Sequence, residues 1–228
     1  MNNEDLKKNV AIAALKYIQQ DAIIGIGSGS TINYFIKALE TIKYKIKGAV
    51  SSSQDTSFKL KQCGIPLINS NHIDSLSLYI DSADEINDRL QMIKGKGGAL
   101  TKEKIIAAIS KHFLCIADES KYVNLLGKTA PIPLEVIPMA RAYVARQIVK
   151  LLGALPKYRS GVITENGNVI IDIYNASLIE PIEIEKKLSL IVGVITVGLF
   201  TIRTADTALI ATNSGGIKFL TKPLSHFR

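Results

Sequence analysis

AIIGIGSGST, residues 22–31, reads as a strand, a tight turn and the opening of a helix. Ala22 to Ile26 is a short apolar run, which suits a strand covered on both faces. Gly27-Ser28-Gly29-Ser30-Thr31 is turn chemistry, and Ile32 to Leu39 opens a helix. Upstream, Leu6, Val10, Ala13, Ala14, Tyr17 and Ile18 recur at helical spacing over residues 5–19. Downstream, Ile46 to Ser51 predicts a second strand, and Gln54 to Cys63 a helix with Gly64 at its C′ position. Leu76 to Asp81 predicts a third strand. Thr101 is placed to cap a helix reaching about Lys111, and Phe113 to Ala117 predicts a further strand. Strands alternating with helices imply an α/β fold built on a doubly wound, mostly parallel, Rossmann-like sheet.

The second half has another rhythm. Ile132 to Ile137 predicts a strand, and Ala140 to Leu152 a helix stopped by Gly153. Gly161–Thr164 and Asn168–Tyr174 flank the turn Glu165-Asn166-Gly167 and predict a hairpin. Pro181 suits the first position of a helix running to about Leu188. Val192 to Phe200 predicts a closing strand. That order, βαββαβ, is a ferredoxin-like α+β unit. Thr207–Ala211 and Gly216–Leu220 return to sheet character. The expected organisation is a main α/β domain over 1–129 and 204–228, with a small inserted domain over 130–203.

The 228 residues are 47% hydrophobic, ample for a core, and carry a formal net charge of +8. A basic chain meets anions, either nucleic acid or phosphorylated metabolites. The cations are scattered, there is no Trp, and no aromatic–basic stripe is available to stack bases. Nucleic acid is the weaker partner. Cys63 and Cys115 are far apart and form no CxxC, which predicts reduced thiols and a cytoplasmic protein. The N-terminal MNNEDLKK lacks a signal-peptide pattern, and the apolar run Leu190–Phe200 is too short to span a bilayer, so no membrane partner is expected. His72, His112 and His226 are isolated and no spacing suggests a metal site, so a zinc or iron enzyme is not expected.

The turn at 25–31 presents backbone N–H groups and hydroxyls at a helix start, a geometry that binds phosphate. An ordinary tight turn capped by Ser30 or Thr31 is the alternative. A dinucleotide fingerprint fails, because Ser30 stands where its third glycine belongs and no acid lies between Glu40 and Asp55. The richest stretch is DSADEINDRLQMIKGKGGALTKE, residues 81–103. Asp81 and Asp84 follow a strand, where α/β sheets bind ligands, and two nearby carboxylates can share a proton. A solvated acidic turn is the plain alternative, and Glu85 looks the most dispensable of the three acids. Lys94 meets the loop Gly95-Lys96-Gly97-Gly98, where a cation could stabilise an oxyanion. Glu103 lies in a first helical turn, where the dipole favours an acid and lowers its pKa. Acids, a loop lysine and a helix-start carboxylate together suit proton transfer on a small charged metabolite.

With those residues in place, the chain resembles the type A ribose-5-phosphate isomerase family over nearly its whole length. The resemblance rests on GIGSGST at 25–31, SSSQDTS at 51–57, DSADEIND at 81–88 and KGKGGALTKEK at 94–104, followed by ADESK at 117–121 and VGLFTIRTADTALIAT at 197–212. It implies a cofactor-free interconversion of ribose 5-phosphate and ribulose 5-phosphate in the pentose phosphate pathway. It implies Glu103 as general base, working through an enediolate, and Lys94 stabilising the enediolate oxygen. Asp81 and Asp84 would hold sugar hydroxyls and help to open the ring. Ser28, Gly29, Ser30, Thr31, Ser82, Ala83, Gly95, Lys96, Gly97 and Lys121 would contact the substrate, with Lys121 facing the phosphate. A homodimer or homotetramer is implied as well.

Two positions depart from the family pattern. Ser82 replaces the glycine of DGADE, which costs about 1–2 kcal/mol if the backbone there needs positive φ. Lys96 interrupts a glycine run and adds a second cation. Three rivals are a sugar-phosphate sensor of the same fold without catalysis, an amino-sugar deaminase, and a nucleic-acid binder driven by charge. The set Glu103, Asp81, Asp84 and Lys94 argues against the first. The lack of any histidine within a motif argues against the second.

Overall fold

The computed structural model describes residues 2–222, so His226 and the end of the expected main domain lie outside the described residues. The strands in chain order are β1 (Ala22–Ile26), β2 (Ile46–Ser51), β3 (Leu78–Asp81), β4 (Glu85–Ile86), β5 (Met92–Ile93), β6 (Phe113–Asp118) and β7 (Ile132–Val136). There follow β8 (Leu155–Ile163), β9 (Val169–Tyr174), β10 (Val194–Val197), β11 (Leu199–Phe200), β12 (Thr207–Ala211) and β13 (Ile217–Thr221). The helices are α1 (Asn3–Ala14), α2 (Ser30–Leu39), α3 (Gln54–Gln62), α4 (Leu100–Ala108), α5 (Arg141–Leu152) and α6 (Pro181–Ser189).

A six-stranded sheet has the order β13-β12-β6-β3-β1-β2, parallel except for β13 at its edge. Side chains alternate across it, as the period of a strand requires. Ile24, Ile26, Ile80, Leu114, Ile116 and Leu209 pack with α1 and α2. Tyr79, Phe113, Cys115 and Ile210 pack on the other face with Ile106 and Ala107 of α4. From β1 the chain goes first to β2 on one side, then to β3 on the other. The crevice at the C-terminal ends of β1 and β3 is therefore a topological switch point, where open α/β sheets hold ligands.

A second sheet, β10-β7-β9-β8, is antiparallel, with the strand order of a ferredoxin-like unit. Its core is Leu134, Val136, Val144, Ile148, Ile171, Ile173 and Leu188. The third sheet, β11-β5-β4, is short and lies next to Lys94.

Several local features differ from the sequence reading. The single strand predicted over Val192–Phe200 breaks at Gly198. There the N–H donates to the Pro133 carbonyl (2.7 Å) and the carbonyl accepts from Lys94 N (2.9 Å). A Cβ at this position would stand 2.4 Å from the Lys94 carbonyl oxygen, so only glycine lets the two backbones meet. Thr101 does not cap α4. The N-cap is Ala99, with no side-chain cap bond, because the Thr101 hydroxyl is taken by Glu135, 34 positions away. Strand β8 runs from Leu155, well before the predicted Gly161, because Pro156 and the charged residues of this exposed edge hide the strand pattern.

Glu85 is the opposite of dispensable. It is fully buried, and its carboxylate accepts hydrogen bonds from the N–H groups of Gly127, Thr129 and Ala130 and from the Thr129 hydroxyl. It anchors the connection between the two larger sheets. Truncating it would leave three backbone donors unpaired in the interior. Glu85→Ala is expected to lower the unfolding free energy by about 3 kcal/mol or more. Urea midpoints of the two proteins measure this, and equal midpoints would remove the anchoring role.

Candidate active site

β1 ends in Gly27 and the turn to α2; β3 ends in Asp81, and Ser82–Asp84 follow. Gly27 has no room for a side chain, since a Cβ would lie 1.9 Å from the Asp81 carboxyl. That absence lets Asp81 lie flat under the turn. Asp81 is fully buried and takes N–H groups from Ser82 (2.7 Å) and Ser28 (3.1 Å), together with the Tyr79 hydroxyl. Burial, and then the Asp81 charge, push the Tyr79 phenol well above its ordinary value, so it remains a donor.

Lys94 closes the arrangement from the opposite side. Its ammonium pairs with Asp81 (2.8 Å), donates to the Ser82 carbonyl and stands 3.3 Å from Glu103 Oε2. Burial alone would lower the Lys94 pKa. Asp81 and Glu103 outweigh it and hold the pKa above the ordinary lysine value. Glu103, in the first turn of α4, is 4% exposed. Its Oε1 accepts from Ser28 Oγ (2.7 Å), whereas Oε2 accepts no hydrogen bond.

Burial is the main influence on Glu103 and pushes its pKa up to about 7; Lys94 opposes the rise and Asp81 adds to it. The helix-dipole argument predicts a lowered value, and burial overrides it. A buried carboxyl that titrates near neutrality on the wall of a cleft is suited to take and return a proton.

These groups open into a cleft of about 380 Å³. Ser28, Gly29, Ser30, Thr31, Ser82, Ala83, Asp84, Lys94, Gly95, Lys96, Gly97, Glu103 and Lys121 all line it. Asp81 does not. It lies behind the wall, bonded to Lys94 and to backbone, and its partners are these rather than Asp84. The Asp84 carboxylate instead accepts the Lys96 N–H (2.9 Å). Lys7, on α1, also lines the cleft, and no local pattern singles it out because only helix packing brings it there.

The turn at the start of α2 carries no side-chain cap. Gly29 is the N-cap with φ of 101°, so the first N–H groups of the helix have no side-chain acceptor. With the Ser30 and Thr31 hydroxyls and the Lys7 and Lys121 cations, that end of the cleft suits a phosphate. Ser82 carries no strain, since its φ is not positive, and its hydroxyl donates to the Ser28 carbonyl (3.1 Å), tying the two loops together. Lys96 also lies outside the positive-φ positions.

A family model described as ribose 5-phosphate isomerase A (phosphoriboisomerase A) matches residues 48–215. Ribose-5-phosphate isomerase A of Blochmanniella floridana is 56% identical over 220 residues, covering 96% of this chain and 98% of that protein. The crystal structure of ribose 5-phosphate isomerase A from Neisseria gonorrhoeae superimposes with a TM-score of 0.94 at 41% identity, covering 97% of this chain and 98% of that one. A D-ribose-5-phosphate isomerase solved in complex with phospho-erythronic acid gives a TM-score of 0.92 at 36% identity, covering 97% and 100%.

The Glu103 shift has a consequence for stability. A carboxyl near 4.5 in the unfolded chain and about 7 in the folded one binds more proton when folded. Stability therefore falls as pH rises through that window. Glu103→Gln removes this dependence. Relative to the native protein, the variant is expected to gain up to about 3 kcal/mol between pH 4 and pH 8. Urea unfolding at both values measures the gain, and parallel pH profiles would show that Glu103 is not shifted.

Proposed function

Since this chain belongs to the ribose 5-phosphate isomerase A family, we propose that Glu103 is its general base, moving a proton between C2 and C1 of the substrate. The chain is an aldose–ketose isomerase that interconverts ribose 5-phosphate and ribulose 5-phosphate. The observation that carries the assignment of the base is the buried Glu103 carboxyl on the cleft wall, held near neutrality with Oε2 facing the Lys94 ammonium at 3.3 Å.

The phosphate docks at Ser28–Thr31, with Lys7 and Lys121 supplying charge. This contact is remote from the reacting carbons, so its binding energy is available to hold C1 and C2 over Glu103. Glu103 takes the C2 proton of the open-chain aldose and an enediolate forms. Lys94, kept charged by its two acids, offsets the negative charge on the enediolate oxygen. The O2 hydroxyl proton passes to O1, the C2 carbonyl forms, and Glu103 returns its proton to C1. Asp84, on the cleft wall, holds sugar hydroxyls and assists ring opening. Asp81 acts through Lys94: its charge keeps the ammonium protonated and fixed.

Residues 130–203 serve as an inserted unit that walls the site, a reading supported by the separate sheet that β7 to β10 form. The protein is further read as cytoplasmic, in keeping with the free thiols Cys63 and Cys115. It is also read as a homodimer or homotetramer. Met139, Leu190 and Val192 are among the most exposed apolar side chains, of the kind an interface would cover. A monomer in sedimentation equilibrium would remove that last reading.

The assay is ribulose 5-phosphate formation from ribose 5-phosphate in EDTA. Native activity is expected to survive chelation, and Glu103→Gln to lose at least about a hundredfold in kcat. Equal activity in both proteins would remove Glu103 as the base. In the same assay Lys96→Gly is expected to keep kcat within about tenfold, under about 1.4 kcal/mol, because the loop already has its backbone bonds. A loss beyond about a hundredfold would give Lys96 a catalytic role.

A further inference from the structure

Helix α4, which presents Glu103, is nine residues long and has no side-chain N-cap. A helix this short is marginal by itself. Its orientation depends on tertiary partners, and the residues beside Glu103 find theirs on one structural unit. Thr101 Oγ1 donates to Glu135 (2.5 Å). Lys102 Nζ pairs with Glu165 (2.5 Å), and Lys104 Nζ with Glu185 (2.5 Å). All three acids lie within residues 130–203, on β7, on the β8–β9 turn and on α6.

The three contacts differ in weight. Glu135 is fully buried and also accepts from Thr164 Oγ1 (2.8 Å), Asn168 Nδ2 (2.8 Å) and Asn166 Nδ2 (3.0 Å). Burial pushes its carboxyl up, and the hydrogen bonds from Thr101, Asn168, Asn166 and Thr164 together outweigh it. Glu185 is nearly as buried and takes the N–H groups of Thr201 (2.7 Å) and Ile202 (3.0 Å) besides Lys104. Both carboxylates are thus fixed before they reach α4. The Lys102–Glu165 pair is partly solvated and contributes little on its own. Glu165 still ties the hairpin turn to the Gln54 N–H at the start of α3 (2.7 Å).

We propose that Glu135, with Glu185 and Glu165, clamps α4 through Thr101, Lys104 and Lys102, and that this clamp positions Glu103 for proton transfer. The inference rests on the reading of Glu103 as the base. None of the three acids lines the catalytic cleft, so they act as positioning residues and not as catalytic ones. The reaction is sensitive to such support, because displacing a base by about 1 Å can cost on the order of a hundredfold. Loosening the first turn also lets water reach Glu103 and relieves the burial that raises it.

The test uses the full-length enzyme with Thr101→Val, which removes the hydroxyl and keeps the shape, beside Thr101→Ser, Glu135→Ala and Glu103→Gln. Thr101→Val is expected to lower kcat about 10- to 100-fold with KM within about threefold. The acid limb of its kcat/KM profile is expected to move down from about 7 towards the ordinary carboxylate range. Thr101→Ser restores both. If Glu135→Ala does not fold, the Thr101 pair carries the test alone. A fall in kcat with an unmoved acid limb overturns the clamp, because lost folded protein scales the rate without shifting the limb. Native kinetics in Thr101→Val, beside an inactive Glu103→Gln, overturns the clamp and leaves the base assignment intact. An active Glu103→Gln overturns the base assignment itself.

Discussion

Asp81, Lys94 and Glu103 share one buried space, two carboxylates around a single ammonium. Taking charges out of water is costly, and such a group survives only with its hydrogen bonds met. The donors are shared unequally. Asp81 receives two backbone N–H groups, the Tyr79 hydroxyl and Lys94. Glu103 receives Ser28 on one oxygen and, on the other, only the more distant Lys94 ammonium at 3.3 Å. Burial pushes the Glu103 carboxyl up to about 7, and the ammonium it shares with Asp81 only partly offsets that rise. The shift of Glu103 thus comes from its burial in this cluster and from its charged neighbours, and not from its place in the helix.

Much of the surrounding structure follows from keeping this cluster in place. Gly27 is needed because Asp81 occupies the volume of its missing side chain. Gly198 is needed because the backbone of Lys94 runs against it, and the strand break there brings β11 beside β5. Phe200 on β11 then lies between two ammonium groups, with Lys104 Nζ 4.7 Å and Lys94 Nζ 5.6 Å from its ring centre. The negative face of an aromatic ring tolerates cations in a space that excludes water. Lys104 is held lower than an ordinary lysine, chiefly by burial, and Glu185 counters that effect.

The order of strands and helices was legible because its signals are local. Apolar runs such as Ala22–Ile26 and Ile46–Ser51, and stop signals such as Gly64 and Gly153, mark their own elements. Most residues lining the cleft were legible too, since they cluster at strand ends and in glycine-rich loops. Depth was not. Asp81 and Asp84 are three positions apart and look alike in sequence, yet one lies behind the wall and the other on it. Glu85 reads as a surface acid until the loop at 127–130 folds over it. Lys7 reaches the cleft only through the packing of α1. The titration of Glu103 reverses the local expectation, because the dipole acts from the helix and burial from the whole domain.

The positive charge of the chain does different things at different depths. Inside, Lys94 is, among the described residues, the one buried cation on the cleft wall, and it acts at close range in a medium of low polarity. At the rim, Lys96 is exposed and Lys7 and Lys121 are half-buried, and a charge reached by water is screened beyond roughly 8 Å at physiological salt. Charges at a rim that water reaches attract an anion at long range, and act more weakly at close range than a buried ammonium does. Lys96 belongs with this outer set. It needs no unusual backbone angle and adds its charge where charge is least costly. The loop can therefore vary at Lys96 without disturbing Lys94 two residues earlier, whose backbone and ammonium are held by Gly198, Ser82 and Asp81.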